Sequence, residues 1–276
     1  MRLCAEAGIA AVAPPSIELN LVDENKLKQF IGSQPFSAVV NCAAYTAVDQ
    51  AEVENDLAWQ INASGAGAIA RCCAIASIPL VHISTDYVFN GRKDGYYVES
   101  DPIDPLGEYG KSKAAGERAV TESGCHYAIL RTAWVLSAGP KNFLSTMLRV
   151  GAERDEMRVV NDQFGCPTHA TDVADVILKV LISRTQSSGI WHCVNEGEAS
   201  WHELAAHIFE FNRQHGLKAP TLIGISSEEY PTLAPRPVNS RLSTQKLYDD
   251  FGIKLGPWRD AVTAILDQKL ADRSDK

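Results

Sequence analysis

The sequence predicts an α/β fold: a doubly wound parallel sheet with helices on both faces. Two observations predict it. Short apolar runs bounded by turn residues alternate with helical stretches along most of the chain, and that alternation closes as parallel strands joined by crossover helices. The 276 residues, 45% hydrophobic and 22% charged, can bury a large core. No repeat or low-complexity segment competes with this reading.

The elements follow in order. Met1 to Ala7 reads as the end of a helix stopped by Gly8, and Ile9-Ala10-Ala11-Val12-Ala13 as a strand. Asp23 caps a short helix through Ile31, and Phe36 to Asn41 is the next strand. Ala51 to Ala76 is Ala-rich and helical, with a break near Asn55-Asp56. Pro79 to Ser84 is a buried strand ending in small polar residues. Residues 90–108 carry Gly, Asp and Pro turns and form a loop over the site, and Lys113 to Val120 is helical. Tyr127 to Arg131 is a strand, Phe143 to Glu153 a helix, Asp172 to Ser183 an amphipathic helix and Ile190 to Val194 a strand. Ser200 to Asn212 is a helix with Ser200 as cap and Glu203 completing a capping box. From Lys218 the chain is Pro-rich and irregular until Asp260 to Leu270 closes as a helix.

The chemistry sits at one strand end. Thr85 follows the buried strand, and Tyr109 and Lys113 lie one helical turn apart, so they face the same side. Only one of the 8 Tyr has Lys four places on, and it stands downstream of a strand that ends in a hydroxyl. Tyr is a poor acid near neutrality, and a neighbouring ammonium is expected to pull its pKa down. A hydroxyl, a phenol and an ammonium arranged in this way suit carbonyl reduction.

Several segments together resemble the extended short-chain dehydrogenases/reductases, and within them the dTDP-4-dehydrorhamnose reductase family. They are Val40 to Asp49, Ser84-Thr85-Asp86-Tyr87-Val88-Phe89, the Tyr109/Lys113 pair, Arg131-Thr132-Ala133-Trp134-Val135, Asn161 to Thr168, and Arg236 to Leu242. The resemblance implies a Rossmann-like sheet with a smaller C-terminal substrate domain. The dinucleotide-binding part would comprise residues 1–135 and 164–190, and the substrate part residues 136–163 and 191–276. One departure stands out. The family opens with a strand and a Gly-x-x-Gly-x-x-Gly turn that holds the cofactor pyrophosphate, and neither is found here. The first strand is therefore expected to be missing, through a start assigned too far downstream or a truncated copy.

By resemblance, Tyr109 protonates the developing alkoxide, Lys113 holds the nicotinamide ribose and Thr85 tunes that hydrogen bond. Ala43, Ala44, Tyr45 and Thr46 contact the cofactor, and Asn20 and Leu21 stand near the adenine. Trp134 flanks the sugar, Asp86 accepts from a sugar hydroxyl, and Arg236 with Asn239 suits a nucleotide diphosphate; Gln163 belongs to the same substrate group. NADPH and NADH remain open, since Ala13 ends its strand without a ribose-selecting carboxylate. Mg2+ enters only through the resemblance, as does a homodimer. Also open are another nucleotide-sugar reductase or epimerase, an inert truncated copy, and a non-catalytic relative of the methionine adenosyltransferase regulatory subunit. That relative tends to lose the Thr and Trp positions kept here as Thr85 and Trp134.

Composition excludes other classes. A net charge of −8 argues against a nucleic-acid surface. No apolar stretch nears the roughly 20 residues that span a bilayer, and Glu6 and Pro14-Pro15 interrupt any signal peptide. Seven Cys without metal spacing fit a reducing cytoplasm. The seven His share no ligand spacing, so no protein metal site is expected.

Overall fold

The computed structural model describes residues 1–139, 141–183 and 188–274. In chain order the first half comprises α1 (Arg2–Glu6), α2 (Glu24–Gly32), β1 (Val39–Asn41), α3 (Asn55–Trp59), α4 (Ala66–Ala76), β2 (Leu80–Thr85), α5 (Glu108–Thr121) and β3 (Tyr127–Thr132). There follow β4 (Val135–Leu136), α6 (Phe143–Glu153), β5 (Glu156–Val160), β6 (Phe164–Gly165), β7 (Thr168–His169), α7 (Ala170–Ile182), β8 (Gly189–His192) and β9 (Ala199–Ser200). The last elements are α8 (Trp201–Gln214), β10 (Thr221–Ile225), α9 (Gln245–Phe251) and α10 (Trp258–Ser274).

The central sheet is parallel, in the order β1-β2-β3-β8. Its register pairs Val39 with Leu80, Leu80 with Tyr127 and Ala128 with Gly189. Successive side chains on a strand point to opposite faces. Leu80 and Ile129 therefore meet Leu27, Ile31, Ile69, Cys72 and Val120 from α2, α4 and α5. Val81, Ala128 and Leu130 meet Val173, Val176, Ile177 and Val180 of α7 on the other face. Burial on both faces explains why these strands read as continuous apolar runs.

A second core is built from two stretches of chain. Leu144, Met147 and Leu148 of α6 and Met157 and Val159 of β5 pack with Leu204, Ile208 and Phe209 of α8 and Val262, Ile265 and Leu266 of α10. The C-terminal third does not all go there, because Leu247, Ile253 and Leu255 pack on the α7 face of the sheet.

Three expectations change. Ile9 to Ala13 is irregular, with Ile9 37% and Val12 58% exposed. Ile9 to Ala13 joins no ladder among the described residues, and a segment without a strand partner leaves its backbone groups unpaired as a strand. The tail beyond Lys218 is not wholly irregular, since Thr221 to Ile225 pairs in parallel with Glu156 to Val160. Gly224 and the preceding Pro220 mask that strand in the sequence. The Ala-rich stretch breaks more than once: a 3-10 turn at Gln50–Glu52, α3, a π turn at Gln60–Gly65, then α4. The short helix begins as expected, with the Asp23 carboxylate accepting from the Lys26 amide at 3.1 Å. The capping box of Ser200 and Glu203 is also formed.

Candidate active site

The site lies beyond the C-terminal ends of β1 to β3, where ligands bind in sheets of this class. Tyr109 is the second residue of α5 and is 9% exposed. Its ring packs with Ala51 and Ala58 and with the half-buried Tyr45, Val48 and Tyr87, meeting Tyr87 edge-on at 5.5 Å. Lys113 is 2% exposed, and its Nζ donates to the Ile83 carbonyl at 2.6 Å. Thr85 Oγ1 donates to Asp86 Oδ1 at 2.9 Å and accepts the Tyr87 amide at 3.2 Å.

Burial governs the titration here. It pushes the Tyr109 phenol up to about 12, with the Thr85 hydroxyl pulling back and the Asp86 charge adding to the rise. Burial outweighs every other contribution, so the lowering expected from the Tyr109/Lys113 spacing does not set the direction. Burial likewise holds Lys113 down at about 8 against the pull of Glu117. It raises Asp86 to about 6, offset in part by hydrogen bonds from Ser240 and Thr85.

Beneath these groups lies a buried ionic network that the sequence reading missed. Glu117, one turn beyond Lys113, takes Arg131 Nε at 2.9 Å and Nη2 at 2.7 Å and accepts the Ser84 hydroxyl at 2.5 Å. Two signals were available: an Arg inside the apolar run Tyr127 to Thr132, and a carboxylate continuing the Tyr109/Lys113 spacing. Alongside, Asn41 Nδ2 and His82 Nδ1 stand 3.0 Å apart across the β1–β2 pair. Burial, with Lys113 nearby, keeps His82 neutral.

The loop after β1 is rigidly held. The Ala43 amide donates to Asn41 Oδ1 at 3.1 Å. Asn62, in the π turn, accepts the Tyr45 amide at 2.8 Å and donates to the Tyr45 carbonyl at 3.1 Å and to Ser112 Oγ at 3.0 Å. Ala43 and Thr46 are exposed and Ala44 is half-buried. Tyr45 packs into the cluster around Tyr109, and its hydroxyl donates to Glu54 at 2.9 Å. Leu21 packs beside Gly65 and into the α2–α4 core, whereas Asn20 is exposed and accepts the Val22 amide at 3.2 Å.

On the other side, Trp134 has φ 45°, the left-handed region that a bulky residue rarely occupies. Its ring stacks on Trp201 at 3.5 Å and 6°, and a Cβ on Gly165 would overlap the indole. Trp201 Nε1 donates to Gln163 Oε1 at 3.2 Å, and Gln163 Nε2 donates to Ser227 Oγ at 2.9 Å. Gln163 thus anchors the Trp pair. Arg236 Nη2 donates to Asp49 Oδ2 at 2.6 Å, its guanidinium lies 6.0 Å from the Tyr87 ring centroid, and its buried Nη1 has no protein partner. Asn239 is fully engaged: its Nδ2 donates to the Lys93 and Gly95 carbonyls and its Oδ1 accepts twice from Arg241. It buckles the 93–95 loop.

The Lys113 ammonium lies near Cys42, the residue before the small Ala43 and Ala44, and an ammonium with a phenol one helical turn away has the donor chemistry that a nicotinamide ribose needs. For a pyrophosphate the chain offers no Gly-rich turn. Among the described residues no group of three or more His, Cys, Asp or Glu is placed to hold a metal ion.

The family described as the RmlD substrate binding domain matches residues 1–271. The chain belongs to this family. Similar to it is the dTDP-4-dehydrorhamnose reductase of Sinorhizobium fredii, 40% identical over 86% of this chain and 82% of the relative. So is the spore coat polysaccharide biosynthesis protein SpsK of Bacillus subtilis, 37% identical over 97% and 92%. Among solved structures, the Bacillus anthracis dTDP-4-dehydrorhamnose reductase in complex with NADP superposes with a TM-score of 0.90 at 33% identity, covering 95% of this chain and 92% of that one. The Clostridium acetobutylicum dTDP-4-dehydrorhamnose reductase gives 0.91 at 33% identity, covering 97% and 93%. The family match takes in both cores, the sheet and the second unit alike.

Proposed function

We propose that this chain reduces the C4 ketone of dTDP-4-dehydro-L-rhamnose to dTDP-L-rhamnose with NADPH or NADH. The observation that carries the reading is the convergence of Thr85, Tyr109 and Lys113 at the strand ends, within a family whose relatives bear that activity in their names. When bound, the nicotinamide supplies the hydride. The protein supplies the proton and the orientation. A phenol held at about 12 by burial stays protonated, so Tyr109 Oη is a donor for the oxygen that becomes an alkoxide. Lys113 keeps donors free beyond its bond to Ile83 and places them toward the ribose hydroxyls. Asp86 accepts from a sugar hydroxyl, the Trp134 face packs on the deoxysugar, and Arg236 offers Nη1 to the diphosphate.

The division into a dinucleotide-binding and a substrate part, a cytoplasmic location and a homodimer belong to this same reading. No helix among the described residues is long and apolar enough to cross a membrane, and light scattering decides the oligomer. The activity is tested by adding dTDP-4-dehydro-L-rhamnose to protein and NADPH. Consumption of NADPH by the wild type, lost in Tyr109→Phe, is the expected result. No consumption under conditions where the protein binds both ligands would refute the reading.

A further inference from the structure

The turn that follows the cofactor loop, Asp49 to Glu52, touches both halves of the chemistry. Its residue Ala51 is completely buried and sits in the cluster around the Tyr109 ring. On one side of Ala51, Asp49 accepts the Ala234 amide on Oδ1 at 3.0 Å and Arg236 Nη2 on Oδ2 at 2.6 Å. On the other side, Glu52 Oε1 accepts the Glu108 amide at 2.8 Å. Glu108 is the first residue of α5, the helix that carries Tyr109 and Lys113.

The Glu108 bond answers a deficiency in α5. A helix begins with unsatisfied amides, usually met by a Ser, Thr, Asp or Asn side chain at the residue before it. Here that residue is Gly107, which has no side chain, and no cap hydrogen bond is formed locally. A Cβ at Gly107 would sit 2.5 Å from Glu52 Oε1. The glycine thus clears the space through which a carboxylate from a distant turn caps the catalytic helix. A carboxylate group as acceptor suits the positive end of the helix dipole.

Asp49 does a parallel thing for the arginine. The pair is partly open to solvent, with Asp49 48% exposed, so it adds little to stability. Its consequence is directional. A guanidinium is a planar fork of five donors, and with Nη2 fixed on Asp49 the free Nη1 has a set direction.

We propose that Asp49 and Glu52 are positioning residues acting from one rigid turn: Asp49 aims Arg236 at the substrate diphosphate, and Glu52 sets the N-terminal turn of α5 and so the Tyr109 phenol. The proposal rests on the nucleotide-sugar reading above. It makes two adjacent acids separable. Asp49→Ala is expected to weaken binding of dTDP about tenfold and raise KM for the sugar nucleotide, with kcat little changed. Glu52→Ala is expected to lower kcat about tenfold with KM held. Glu52→Gln, which keeps an acceptor oxygen, is expected to restore most of the rate.

The test combines titration calorimetry with dTDP, steady-state kinetics and amide hydrogen exchange at Glu108. In Glu52→Ala the Glu108 amide should exchange faster, in Glu52→Gln it should stay protected, and the melting temperature of Asp49→Ala should match the wild type. Wild-type protein that fails to bind dTDP overturns the nucleotide-sugar reading itself. Wild-type binding with equal or tighter binding by Asp49→Ala overturns the proposal for Asp49, because the acid would then restrain Arg236 rather than aim it. Unchanged Glu108 exchange in Glu52→Ala, or equal losses in Glu52→Ala and Glu52→Gln, overturns it for Glu52.

Discussion

Lys113 Nζ donates to the carbonyl oxygen of Ile83 at 2.6 Å, tying α5 to β2 near the strand's C-terminal end. The Tyr and Lys of this site are therefore linked through β2 as well as through their own helix. The bond fixes the Lys113 ammonium, and burial keeps the Tyr109 phenol protonated.

The first expectation concerns that phenol. Tyr109→Phe removes the proton donor and leaves the ring packing against Ala51 and Ala58. kcat should fall by ~10² or more with sugar-nucleotide affinity nearly unchanged, since the phenol acts in the transition state. Steady-state kinetics with dTDP binding measured separately decides it.

Lys113 gives a pH signature. Its pKa falls from 10.5 in the unfolded chain to about 8 in the folded one. Between those values the unfolded state binds more protons, so this group makes stability rise with pH across about 8 to 10.5. Lys113→Met should remove that rise. Denaturant unfolding of both proteins at several pH values gives the comparison, and parallel curves would contradict the burial of a charged Lys113.

The buried pair under the site is a stability element. Glu117→Gln leaves the Arg131 guanidinium buried without its counter-charge, and breaking such a pair costs about 3–5 kcal/mol. A melting temperature within a few degrees of wild type would show that Arg131 finds another partner.

The Trp134 wall depends on a missing side chain. Gly165→Ala puts a methyl group into the indole, so the ring must leave Trp201. Overpacking of this kind costs about 1–3 kcal/mol. KM for the sugar nucleotide should rise while NADPH affinity holds, and quenching of Trp fluorescence by dTDP-L-rhamnose should change with it.

Elements with a strong local signal were legible in the sequence. Phe143 to Glu153, the Asp23 cap and the capping box at Ser200 all rest on neighbours a few residues apart. What escaped depends on distant partners. Ile9 to Ala13 looks like a strand but has no described neighbour to pair with, and Thr221 to Ile225 becomes a strand only because β5 lies beside it. In the site, Thr85, Tyr109 and Lys113 were readable from spacing and resemblance. Asp49, Glu52 and Glu117 were not, because their roles appear only when their partners at positions 236, 108 and 131 are brought to them. The direction of the Tyr109 shift was also missed. Spacing put the ammonium on the same helix face, but the burial that raises the phenol comes from distant residues packed around it, Ala51, Ala58 and Tyr87 among them.

The most direct test follows the hydride. NADPH carrying deuterium at the transferable position is incubated with the protein and dTDP-4-dehydro-L-rhamnose, and the sugar is analysed by mass spectrometry and NMR. The account expects dTDP-L-rhamnose with the label at C4, formed by the wild type and not by Tyr109→Phe. Recovery of unlabelled starting ketone from protein that binds both ligands, or equal labelling by Tyr109→Phe, would contradict it.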